Sequence, residues 1–191
     1  MIACFDVHYF GDTANAAAIV FQDWESQTSI SEYTRVIAQP AEYEPGRFYL
    51  RELQPLLAVI QRIVQPVDVY IIDGYCHLSS DQAPGLGAYL KESLDHDALI
   101  IGIGKNRYGN TKHVVELLRG QSARPLFVTA IGATYEWAAK HVASMAGEFR
   151  IPTLLKAVDR LSRTQPNSEQ SHATEPAAGS FSDGEIPPPA C

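Results

Sequence analysis

Val67-Asp68-Val69-Tyr70-Ile71-Ile72-Asp73-Gly74 is a short apolar run that stops on a carboxylate and a glycine. Its length and β-branched content predict a buried strand, and Asp73-Gly74 marks the break into a loop. Asp73 reads two ways on this stretch alone. It closes an Asx turn, or it is an acid placed at a strand end for chemistry.

Upstream, Ile2 to Phe10 alternates, with Cys4, Asp6 and His8 on one face and Phe5, Val7 and Tyr9 on the other. Gly11-Asp12 is a turn, and further strands are predicted over Ala14 to Trp24 and Thr28 to Ala38. Tyr43-Glu44-Pro45-Gly46 is a loop; after it Leu53, Leu56, Leu57, Ile60 and Val64 recur at helical spacing until Pro66. Arg51 is expected to point away from that apolar stripe, and Glu52 to lie on its edge.

Downstream of Asp73 the pattern predicts a loop through Asp81, a helix near Gly85 to Leu94, and a strand over Ala98 to Gly104 ending at Lys105. A short helix is expected over Lys112 to Leu118 and a strand over Leu126 to Thr129. Two last helices follow, Tyr135 to Ala146 and Ile151 to Ser162. This order predicts an α/β fold: an antiparallel meander followed by parallel strands in a mixed sheet flanked by helices, as in ribonuclease-H-like architectures.

From Thr164 the composition turns to Pro, Ser, Ala, Gly and Glu, so 1–163 is expected to be one folded domain and 164–191 a disordered tail. The net charge of −7 does not advertise nucleic-acid binding. The tail has no Lys or Arg, and it carries Glu169, Glu175, Asp183 and Glu185. The rest of the chain therefore stands at about −3 with every basic residue retained. Cys4, Cys76 and Cys191 have no metal-finger spacing, and Cys4 reads as a core residue. No apolar run is long enough to span a bilayer, and Met1 to Asp6 lacks the basic start of a signal peptide. A cytoplasmic location is expected.

Asp6, mid-strand, is costly unless paired, metal-bound or on a wet face. Glu52 reads as a solvent-reaching edge residue or as a site acid. Lys105, just past Gly102-Ile103-Gly104, is placed to face a phosphate or simply to end a buried strand in water. Asp6, Glu52 and Asp73 come from three elements and could converge on one divalent ion.

These residues resemble the endonuclease V (deoxyinosine 3′-endonuclease) family, over about Cys4 to Arg163. Asp6-Val7-His8-Tyr9 resembles the family's Asp-Val-x-Tyr strand, and Tyr43-Glu44-Pro45-Gly46 through Arg51-Glu52 its Tyr-x-Pro-Gly loop running into Arg-Glu. Asp73-Gly74 resembles its Asp-Gly strand end, and Ile101-Gly102-Ile103-Gly104-Lys105 its Ile-Gly-Val-Ala-Lys segment. The resemblance implies a monomeric, metal-dependent nuclease that cleaves a phosphodiester near inosine in DNA or RNA. It implies Asp6, Glu52 and Asp73 as ligands of Mg²⁺ or Mn²⁺ and Lys105 as a catalytic cation. Tyr43, Pro45, Gly46, Gly74 and His77 are implied in substrate binding, with Tyr43 as a wedge beside the opened base. Arg47, Arg51, Lys105 and Arg107 are the expected phosphate contacts.

The chain departs from the family in four places. Glu42 stands for the proline before the wedge tyrosine, and Leu78-Ser79-Ser80-Asp81 for Ala-His-Pro-Arg, with His77 two positions early. Tyr75-Cys76 stands for His-Gly after Asp-Gly, and Thr129-Ala130-Ile131-Gly132-Ala133-Thr134 lacks the histidine of Ser-Pro-Gly-His-Arg. The missing histidine leaves an alternative, a weak or inactive family member that acts as a nucleic-acid or protein binding module.

Overall fold

Three antiparallel strands open the chain: β1 (Ile2–Phe10), β2 (Thr13–Phe21) and β3 (Ser31–Ala38). In this computed structural model, residues 1–42, 44, 47–109 and 113–165 are described. Helix α1 (Phe48–Ile60) leads to β4 (Val69–Asp73), α2 (Leu86–Ser93), β5 (Leu99–Gly104), β6 (Val115–Leu117) and β7 (Leu126–Ile131). Helices α3 (Tyr135–Ser144) and α4 (Thr153–Ser162) complete the described part. The seven strands form one sheet in the order β3-β2-β1-β4-β5-β7-β6. The β1–β4 and β4–β5 pairs are parallel, and β7 runs antiparallel to both β5 and β6.

Alternation along the strands divides the core in two. Ala3, Phe5, Tyr70, Ile72 and Ile100 face Leu56 and Val59 of α1 and Leu86 and Leu90 of α2. Cys4, Ile71, Ile101 and Ile103 face Ala138 and Val142 of α3 and Leu154 and Val158 of α4. Both faces of the central strands are thus covered, which explains the unbroken apolar reading of Val69 to Ile72.

The predicted helix over Lys112 to Leu118 is not formed. Lys112 lies outside the described residues, and Val115 to Leu117 is an edge strand, with Val115 opposite Val128 and Leu117 opposite Leu126. Sheet pairing here outweighs a weak helical spacing. Strand β2 stops at Phe21 because Asp23 closes a turn, its carboxylate accepting from Glu25 N at 3.1 Å and Ser26 Oγ at 3.0 Å. Helix α1 ends at Ile60 rather than near Val64, which is 84% exposed. The predicted tail lies outside the described residues from 166 onward. No helix among the described residues is long and apolar enough to cross a membrane.

Candidate active site

The parallel register builds the site. Cys4 lies level with Ile71 in the β1–β4 pair, so two residues further Asp6 comes level with Asp73. Asp73 is itself level with Ile103 of β5, and Lys105 follows β5 immediately. With a period of two, all three side chains leave the same sheet face, the one covered by α4. Lys105 Nζ donates to Asp73 Oδ2 at 2.6 Å, so the carboxylate meets an ammonium rather than closing an Asx turn.

Gly74 takes a φ of +142°, a conformation open to glycine, and the chain then folds back across β5. This return explains the glycines of β5. A Cβ at Gly102 would lie 2.7 Å from Gly74 O, and one at Gly104 would lie 2.6 Å from the Tyr75 ring. Tyr75, which replaces the family histidine, is tied down: its hydroxyl donates to Asn106 O at 2.7 Å and accepts from Tyr108 N at 3.2 Å.

Glu52 reaches the site from the other sheet face. It is 8% exposed, not a solvent-reaching edge residue, and a cavity of about 70 Å³ is lined by Asp6, Glu52 and Asp73 together with Phe5, Val7 and Leu56. A proline in α1 helps to set its position. Pro55 has no N–H to give to the Arg51 carbonyl, four residues back. That carbonyl accepts instead from the Tyr9 hydroxyl at 3.0 Å, which ties the Arg51–Glu52 turn of α1 to β1. Arg51 does not point away as expected: its guanidinium lies 3.7 Å from the centroid of the Tyr9 ring.

A fourth acid, Asp159 of α4, completes the group. Its Oδ1 is 3.7 Å from Lys105 Nζ, and Arg163 grips it with Nε and a terminal nitrogen at 3.1 and 3.2 Å. Sequence reading passed over it because an acid four residues before an arginine is ordinary on a wet helix face. Ser162 was missed too, yet it left a signal. It falls on the apolar stripe of Leu154 and Val158, is fully buried, and donates its hydroxyl to Asp6.

The electrostatics reflect crowding of like charge. Burial, with repulsion from Asp73 and Asp159, raises Asp6 to about 6. Burial also raises Glu52 to about 7, with Asp6 and Asp73 adding repulsion. Burial pulls the Lys105 ammonium down, but Asp73, Asp6 and Asp159 outweigh it and hold the lysine above its ordinary value. Arg163 and then Lys105 hold Asp159 below the usual carboxylate range. Among the described residues no three acids stand close enough to share one ion. The donor set is nonetheless all carboxylate, two of its members are destabilised by burial and mutual repulsion, and a polar cavity separates them. That chemistry fits a hard divalent cation.

The structure thus brings Asp6, Glu52, Asp73, Gly74 and Lys105 together. His77 stands elsewhere, with Nδ1 2.7 Å from the Tyr135 hydroxyl and its carbonyl against His113 Nε2. Tyr43, Pro45 and Gly46 lie outside the described residues. Of the expected phosphate contacts, Arg47 pairs with Glu44 and Arg107 with Glu116. The far end of the segment that lacks the family histidine, Gly132 to Thr134, lies away from the acids. A Cβ at Gly132 would be 3.6 Å from Leu99 Cα at the start of β5, whereas Lys105, six residues on, lies roughly 20 Å away past its end.

The sequence model of the Endonuclease V family matches residues 1–146. Among curated proteins no sequence matches the chain. Endonuclease V from Streptomyces avermitilis superposes with a TM-score of 0.67 at 24% identity, over 85% of this chain and 79% of that one. Endonuclease V from Ciona intestinalis, in complex with a 24mer DNA containing an inosine followed by a ribo-adenosine, gives 0.70 at 19% identity, over 85% and 83%. Human ENDOV gives 0.66 at 20% identity, over 85% and 82%. These likenesses show the fold, and the match over residues 1–146 shows the relationship: the chain belongs to the endonuclease V family.

Proposed function

We propose that this chain is a divalent-metal-dependent endonuclease that hydrolyses a phosphodiester near inosine in a DNA or RNA strand, acting as a monomer in the cytoplasm. The observation that carries the reading is the gathering of Asp6, Asp73 and Asp159 around Lys105, with Glu52 lining one cavity with Asp6 and Asp73. Asp6, Glu52 and Asp73 would hold Mg²⁺ or Mn²⁺, with Asp159 at the edge of the set. The ion supplies an activated water and charge stabilisation at the phosphate.

The chain's own groups have separate tasks. Lys105, held protonated by its acidic neighbours, donates to a phosphate oxygen as charge develops there. Arg163 fixes Asp159, and Ser162 fixes the Asp6 carboxylate, so neither acid has to be ordered during the reaction. Pro45, Gly46, Gly74 and His77 belong to the proposed substrate surface, with Tyr43 beside the opened base.

The test is cleavage of matched deoxyinosine and inosine oligonucleotides with Mg²⁺ and with Mn²⁺, beside Asp73→Asn. Inosine-dependent, metal-dependent cutting that this substitution nearly abolishes is the expected result. Wild-type cutting by the variant would overturn the assignment. A second reading, binding without cleavage, draws on the Lys105–Asp73 ion pair, which already neutralises the strand-end acid. It is favoured if the wild-type chain binds these strands and cuts none of them.

A further inference from the structure

The pocket beneath Asp6 and Asp73 does not close at α4. Lys105, Ile151 and Leu155 line it, and the same three residues line a second cavity of about 650 Å³ that continues outward along α4. Its rim carries Phe149, Lys156 and Arg163. Phe149 is 64% exposed, and Lys156 Nζ lies 5.7 Å from the centroid of its ring.

The ring is exposed but its backbone is held. Phe149 O accepts from a terminal nitrogen of buried Arg119 at 2.7 Å. A Cβ at Gly120 would lie 3.1 Å from Phe149 Cα, so the two loops are in close contact. The cavity is therefore a fixed apolar floor with an aromatic face and a cationic rim. Its one lining carboxylate, Asp159, is already committed to Arg163 and Lys105. Among the described residues no carboxylate pairs with Lys156.

A single nucleic-acid strand has the matching chemistry, because it offers flat π-faces and regularly repeated anionic charge. The groove also begins at Lys105, where the reacting phosphate would lie. We propose that this groove carries an unpaired stretch of the substrate strand flanking the cleaved bond, with a base stacked on Phe149 and phosphates on Lys156 and Arg163. The choice of nucleic acid as occupant rests on the endonuclease reading above.

Binding of fluorescein-labelled, inosine-free single strands of about 20 and about 6 nucleotides, with divalent metal chelated, tests the groove by anisotropy. Phe149→Ala should weaken the long strand about tenfold and leave its salt dependence unchanged, as expected for a lost stacking contact. Lys156→Ala should weaken it and flatten the slope of log K against log salt by about 0.7. Both substitutions should weaken the short strand as well, and neither should change the melting temperature, since both side chains are exposed. Wild-type binding of the long strand by both variants overturns the proposal. So does a chain lacking residues 166–191 that binds more tightly and no longer distinguishes Lys156 from alanine, which would make the acidic tail the occupant. Losses at Phe149 and Lys156 in a chain that cuts no inosine strand would sink the endonuclease reading and keep the groove. Inosine cleavage with no such losses would do the reverse.

Discussion

Lys105 Nζ donates to Asp73 Oδ2 at 2.6 Å, joining the residue after β5 to the last residue of β4. Both side chains are well exposed, at 39% and 41%, so the pair adds little to stability. Its charge is available for chemistry. Lys105→Met should lower the single-turnover cleavage rate by roughly 10²–10³ and shift the melting temperature by no more than about 2 °C. A large loss of stability with the rate intact would show that the pair is structural.

Asp6 and Glu52 make the stability of the metal-free protein depend on pH. Their folded values, about 6 and about 7, lie above the ordinary 3.8 and 4.5, mainly through burial. Between those limits the folded chain keeps protons that the unfolded chain releases. Stability is therefore greatest below the lower pair and falls as pH rises through the upper pair. The loss is on the order of 2 kcal/mol for each group, shared because the two repel each other. In chelator the melting temperature should fall from about pH 4.5 to about pH 8, and Mg²⁺ or Mn²⁺ should restore it at the upper end. Asp6→Asn should flatten the profile. A melting temperature that climbs with pH in chelator would contradict this assignment.

The strand ends were legible and the site residues of α4, Asp159 and Ser162, were not, for a physical reason. Asp73 and Lys105 follow apolar runs, and a charge after such a run announces the edge of a core. Asp6 was legible through alternation alone. Glu52 was harder, because its burial depends on β1 and β4, which the spacing of its own helix does not reveal. Asp159 gives no local sign, since its meaning comes from β5 passing beneath α4. The edge strand Val115–Leu117 was misread as helix because three residues carry too little pattern to reveal a partner that lies later in the chain. The histidine missing before Tyr135 looked like a loss from the site. The antiparallel course of β7 carries Gly132 and the residues after it to the far end of β5, which sequence order alone does not reveal.

Arg119 governs the loop that presents Phe149. It is 7% exposed and donates to the carbonyls of Ala143 at 3.3 Å, Phe149 at 2.7 Å and Gly147 at 3.0 Å, and to Met145 O. Four acceptors converge on one planar fork, which an ammonium cannot reproduce. Arg119→Ala should cost about 3 kcal/mol in urea unfolding, and Arg119→Lys should recover less than half of it. Full recovery by lysine would mean that charge rather than the fork holds the loop.

The link from Pro55 to Tyr9 predicts a failure of additivity. In the wild-type chain the Arg51 carbonyl depends on the Tyr9 hydroxyl, because proline at 55 cannot supply the helical N–H. Tyr9→Phe should therefore destabilise by about 1–2 kcal/mol by leaving a carbonyl without its donor. In a Pro55→Ala background the new N–H satisfies that carbonyl, and the same Tyr9→Phe change should cost less than about 0.5 kcal/mol. The coupling energy from urea unfolding of the two single variants and the double variant measures the carbonyl's share. An equal cost of Tyr9→Phe in both backgrounds would mean that the Arg51 carbonyl does not depend on the hydroxyl, and the proline would have no part in tying α1 to β1.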